Sequence, residues 1–203
     1  MIAITCSELW GTFTLTPPPV ITSLDRTSGV ACQTEDTIVG SGSCPAQGSS
    51  SVTFNGAAAS AGQDILVRYQ DYIVVGVPCW ATSGPAAVTV AGVAGRSASF
   101  AVIPMVVEVD PASGLVGAPV WIRGCRFGQA RSSSTATSNG VDAGAATSWS
   151  ATDVLVKAPA QAATGSLVVT VGGMASGGGG RFAVLPGPAI YGVSPVWGVA
   201  GRR

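Results

Sequence analysis

The 203 residues suffice for one large or two ordinary domains, each with a real core. Ten Lys and Arg balance ten Asp and Glu, charged residues are only 10% of the chain, and 47% of it is hydrophobic. This excludes a highly charged disordered chain and leaves phosphate backbones no strong cationic cluster, so no nucleic-acid partner is expected. No run reaches the roughly 18 apolar residues of a membrane helix, so no membrane insertion is expected either.

In chain order, MIAITCSELW (1–10) lacks the basic and apolar regions of a secretory signal, and WGTFTLTPP (10–18) reads as a strand closing an earlier unit. PVITSLDRTSGV (19–30) opens a pattern that returns as PMVVEVDPASGL (104–115) and as PAIYGVSPVWGV (188–199). Between these markers further landmarks recur in the same order. SVTFNG (51–56) answers to TATSNG (135–140), YIVVGVP (72–78) to DVLVKAP (153–159), SGPAAVTVAG (83–92) to TGSLVVTVGG (164–173), and SASFAVIP (97–104) to GRFAVLP (180–186). Alternation of Val52 and Phe54, of Ile73, Val75 and Val77, and of Ala86, Val88 and Val90 predicts strands with one buried face. Val154, Val156 and Ala158, then Leu167, Val169 and Val171, do the same in the second copy. Asn55-Gly56 and Asn139-Gly140 predict tight hairpins, because both residue types tolerate positive φ. Short strands with this density of turns predict two-sheet sandwiches.

The order of P-x-I, S-G, G-x-x-F-G, F-N-G, S-W-S, V-P, T-S-G, V-T-V-x-G and F-x-V resembles the IPT/TIG family, immunoglobulin-like domains of plexins, some transcription factors and bacterial surface proteins. The second copy carries RGCRFG (123–128), SNG (138–140), SWS (148–150), KAP (157–159), ATG (163–165) and VTVGG (169–173). The first copy has GSGSCPAQG (40–48) in place of the aromatic-glycine motif and lacks S-W-S, with Tyr69 and Tyr72 nearby; in the second, Ser138 replaces the usual Phe. The resemblance implies an all-β chain of tandem immunoglobulin-like β-sandwiches. The expected division is an orphan closing strand at 1–18, domains at 19–103 and 104–187, and an opening or assembly strand at 188–203.

The search for chemistry ends mostly in structural readings. Without histidine, neither a Ser-His-Asp nor a Cys-His nucleophile can be assembled. Glu35 and Asp36, and Glu108 and Asp110, read as solvated or turn-capping carboxylates; a cation held by Asp25, Glu108 and Asp110 has no calcium-loop spacing behind it. The glycine run 177–180 reads as a hairpin loop, since no Gly-Lys-Ser/Thr follows. No metal, cofactor or catalytic residue is expected.

The five cysteines are Cys6, Cys32, Cys44, Cys79 and Cys125, with no CxxC pair among them. Alternating strand direction places the loops of Cys44 and Cys79 at one pole and Cys32 at the other, and predicts a Cys44–Cys79 disulfide; the alternative is that all are reduced. Cys125 has no partner in its own copy and is a candidate for an inter-chain contact. Trp80, Trp149 and Trp197 are candidate contact residues; Trp149, at the S-W-S position, also fits packing at a sheet edge.

Together these features predict a non-catalytic structural repeat of an extracellular or cell-surface rod or filament, joined head to tail or by strand addition. The alternative is an adhesin-type module binding a glycan or a surface protein. Self-association or neighbouring repeats are the expected partners.

Overall fold

Valine-rich alternation and two Asn-Gly corners dictate the architecture. The computed structural model describes residues 18–42, 50–60, 63–69, 71–189 and 191–192, which contain strands, turns and bends and no helix. The chain is all-β and builds immunoglobulin-like β-sandwiches. In residues 20–103 one sheet runs Val20–Leu24, Glu35–Ser41, Tyr72–Gly76, Ile65–Arg68. The facing sheet runs Ser28–Val30, Ala98–Ile103, Gly84–Val90, Ser51–Phe54, Ala57–Ala58, with Val93–Ala94 folded back on Gly84–Val90.

Residues 105–184 repeat this order. One sheet runs Ser148–Trp149, Asp153–Lys157, Pro119–Cys125, Met105–Asp110, Gly177–Gly178. The other runs Ser113–Gly114, Arg181–Val184, Gly165–Val171, Thr135–Ser138, Val141–Asp142, with Met174–Ala175 folded onto Gly165–Val171. Even the irregularities recur. The pairing slips between Ile21 and Ser23 and again between Val106 and Glu108. At these bulges Gly40 lies against the Val20 carbonyl and Gly124 against that of Met105, too close for any Cβ.

The period-two reading places the core, except that Val171 is only partly buried. Val52, Phe54, Ile73, Val75, Val77, Ala86, Val88 and Val90 are buried, as are Val154, Val156, Ala158, Leu167 and Val169. Each buried Val, Leu, Ile or Phe contributes about 1.5–3 kcal/mol, and the two clusters hold eleven and nine of them, so each pair of sheets is held together without help from helices. Asn55 and Gly56 have φ of 48° and 84°, and Asn139 and Gly140 have 46° and 82°, as a hairpin turn with two left-handed residues demands. Each Asn then rests on a distant glycine, Gly84 or Gly165, where a Cβ would collide with it. The T-S-G and A-T-G motifs thereby acquire a packing reason.

One element differs from its sequence reading. The glycine run is not a free hairpin loop, because Gly177 and Gly178 pair in parallel with Met105 and Val106, and the Gly177 N–H donates to the Pro104 carbonyl at 2.8 Å. Lack of side chains permits this. A Cβ on Gly177 would strike the Val30 side chain, and one on Gly178 the Val106 carbonyl. Val30 belongs to the first pair of sheets and Gly177 to the second, so the run helps the two pairs approach.

Candidate functional site

Two loops from the first pair of sheets and two from the second meet around three sulfur atoms. Glu35–Ser41 and Tyr72–Gly76 are direct antiparallel neighbours, with Glu35 opposite Gly76. The start of one strand and the end of the other therefore share a pole. Cys32 stands just before the first, and its N–H donates to the Val77 carbonyl at 2.9 Å; Cys79 stands just after the second. The two form a disulfide with Cα atoms 4.5 Å apart.

This corrects the expected Cys44–Cys79 bond. The expected poles are overturned: Cys32 and Cys79 share one, because Ile65–Arg68, a strand that the repeated landmarks do not mark, pairs antiparallel with Tyr72–Gly76 and adds one reversal of direction. Cys44 lies outside the described residues.

Cys125, the last residue of Pro119–Cys125, is a free and buried thiol. The inter-chain contact expected of it is replaced by one within the chain: it packs with the first hydrophobic cluster rather than the second. Its sulfur lies 3.3 Å from Cys32 Sγ; since Cys32 is in a disulfide, only Cys125 can donate the hydrogen. Burial pushes the Cys125 thiol above its ordinary pKa, partly opposed by a backbone hydrogen bond from Met105 and by the neighbouring charge of Arg126.

Beside the sulfurs opens a cleft of about 480 Å³ whose walls include Trp80 and Thr82 on one side and Arg126, Gln129 and Thr152 on the other. Trp80 is 55% exposed, a large indole face offered to solvent. Arg126, in a left-handed conformation (φ 72°), has its Nε buried without a hydrogen-bond partner among the described residues, and burial lowers the pKa of its guanidinium. Among the described residues no carboxylate lines this cleft. The arrangement suits binding of a ligand with one flat apolar face and several hydroxyl or anionic groups; among the described residues it presents neither a nucleophile–base pair nor paired carboxylates.

Trp149 takes no part. It sits half-buried on the edge strand Ser148–Trp149, against the second hydrophobic cluster, and its indole N–H donates to the Phe127 carbonyl at 2.9 Å. Trp197 lies outside the described residues. Sequence reading thus singled out Trp80, Cys79 and Cys125 separately and missed Arg126, Gln129 and Thr152, which join the site only because two distant loops meet. The RGCRFG motif (123–128), which holds Arg126, was the available signal.

Glu108 and Asp110 hold a different counter-charge from a metal. Arg123 Nη1 lies 3.2 Å from Glu108 and 3.7 Å from Asp110, while its Nε is 3.8 Å from Asp153. All four side chains are about half exposed, so the network adds little stability in salt. Among the described residues no group of three potential ligands could hold a metal ion.

The IPT/TIG domain family matches residues 104–184 of the chain. No curated protein sequence matches it. Solved structures with a similar chain course include the surface glycan-binding protein PbSGBP-B from Prevotella bryantii, 17% identical over 82% of this chain and 41% of that one, with a TM-score of 0.42. The full extracellular region of plexin A4 is 18% identical over 93% of this chain and 17% of that one, at a TM-score of 0.38. The γ-CGTase of alkalophilic Bacillus clarkii is 20% identical over 85% of this chain and 26% of that one, at a TM-score of 0.36. The chain spans less than half the length of each.

Proposed function

We propose that the chain, whose residues 104–184 match the IPT/TIG domain family, is a tandem of two such units, 19–103 and 104–187, acting as a non-catalytic carbohydrate-binding module. The observation that carries this reading is the exposed indole of Trp80 over a cleft lined otherwise by Thr82, Arg126, Gln129 and Thr152. An aromatic face stacks on the C–H face of a pyranose, and hydroxyl, amide and guanidinium groups around it match sugar hydroxyls. The Cys32–Cys79 disulfide supports an oxidising, extracytoplasmic location.

The test is a glycan array followed by calorimetry on the best ligand. A bound oligosaccharide whose affinity falls at least tenfold in Trp80→Ala supports the reading. Binding that Trp80→Ala leaves unchanged, or no glycan bound at millimolar concentration, overturns it.

The rod reading is supported by a different observation, the shared strand order of the two sheet pairs, the second adding Gly177–Gly178 at one edge. Its assembly strands, 1–18 and 188–203, fall largely outside the described residues. Filaments or long oligomers by electron microscopy or light scattering, lost on deleting 188–203, are its expected outcome.

A further inference from the structure

We propose that Cys32, Cys79 and Cys125 form a thiol–disulfide exchange centre that moves the chain's cross-link from within the first pair of sheets to the joint between the two pairs. Exchange needs a thiol within contact of a disulfide sulfur, and here the free Cys125 sulfur is 3.3 Å from Cys32 Sγ. Two strands fix that approach. Cys125 ends Pro119–Cys125, where it pairs with Met105 and packs in the first hydrophobic cluster, and Cys32 is held by its N–H to Val77.

The chemistry balances internally. Cys125, as thiolate, attacks Cys32 Sγ along the short contact. The Cys125–Cys32 bond forms as the Cys32–Cys79 bond breaks, the electron pair leaves on Cys79, and Cys79 takes up the proton that Cys125 gave away. One disulfide and one thiol are present before and after, so no oxidant or reductant is consumed.

The two forms differ in what they hold together. Cys32–Cys79 closes a loop of sequence separation 47 inside the first pair of sheets, whereas Cys32–Cys125 ties residues 93 apart across the joint. Cys79 and Cys32 are exposed whereas Cys125 is buried. Exchange therefore converts a shielded thiol into an exposed one, on the wall of the cleft beside Trp80. A chain under tension would carry load across its joint through a covalent bond. None of this depends on what the cleft binds.

The full chain is incubated at mildly alkaline pH, sampled over hours, quenched in acid, unfolded, blocked with N-ethylmaleimide and digested without reduction. Peptide mapping is expected to show Cys32–Cys125 rising beside Cys32–Cys79. Alkylation of the native chain should label Cys79, and this label should disappear in Cys125→Ala. In Cys79→Ser, oxidised glutathione should join Cys32 to Cys125. The proposal is overturned if, of these three cysteines, Cys32 and Cys79 stay linked to each other at every time and only Cys125 carries maleimide. It is equally overturned if Cys79→Ser yields only separate glutathione adducts at Cys32 and Cys125.

Discussion

The turn leading into the strand beside the bulge is built twice, with opposite chemistry. In residues 20–103 Cys32 occupies it at φ 63°, donates to the Val77 carbonyl, and is bonded to Cys79. In residues 105–184 Gly117 occupies it at φ 82°, donates to the Ala158 carbonyl at 2.8 Å, and has Ala160 where the other has Cys79. A side chain in the left-handed region costs about 1 kcal/mol or more, which glycine avoids. The disulfide offsets that cost by constraining the unfolded chain. One backbone shape is thus reached either by removing the strain or by overriding it.

The strongest way to break this comparison is to remove the covalent element. Cys32→Ser is expected to destabilise the first pair of sheets by about 2–4 kcal/mol. Calorimetry should show its transition falling while that of the second moves much less; a joint fall would mean that the two unfold as one. Transplanting the element is the converse test. Gly117→Cys with Ala160→Cys should form a disulfide on refolding and raise the second transition by about 1–3 kcal/mol, a gain abolished by reductant. Gly117→Ala alone should cost about 1 kcal/mol in chemical denaturation, through backbone strain, since no atom lies within 4 Å of the added Cβ.

A quieter contrast sits at the next position of the same strands. Asp36, 1% exposed and facing Val75, matches Val120, 1% exposed and facing Val156. The Asp36 carboxylate accepts from the N–H groups of Arg26 and Thr37, but burial outweighs these bonds and raises its pKa above the ordinary 3.8. The folded chain then holds this proton more tightly than the unfolded one. Its contribution to stability is full below the unfolded pKa and is lost as pH rises through the raised folded value. Asp36→Asn keeps a carbonyl oxygen for both N–H groups and should flatten that acid-side slope, the smallest of these effects, measured as denaturation midpoints against pH.

Much of the architecture is legible in residues whose environment is local or periodic. Val75 and Val156 alternate because a sheet has two faces, and Asn55-Gly56 turns because both residues accept positive φ. Trp149 was readable as edge packing from its motif. The glycine run was not readable, because its strand exists only through contact with Met105 and Val106, over 70 residues earlier in the chain. The Cys32–Cys79 pairing was missed for a related reason. Ile65–Arg68, a strand with no repeated landmark to mark it, adds a reversal of direction that alternation from Ser51–Phe54 straight to Tyr72–Gly76 leaves out.

The sequence by itself therefore determined the all-β class, the repeated landmarks and the buried faces, since each follows from spacing along one strand or turn. Only the tertiary structure decided which sulfurs meet and that Trp80 faces Arg126 across a cleft. Those relations join loops from separate pairs of sheets, and no periodicity along the chain encodes the distance between them.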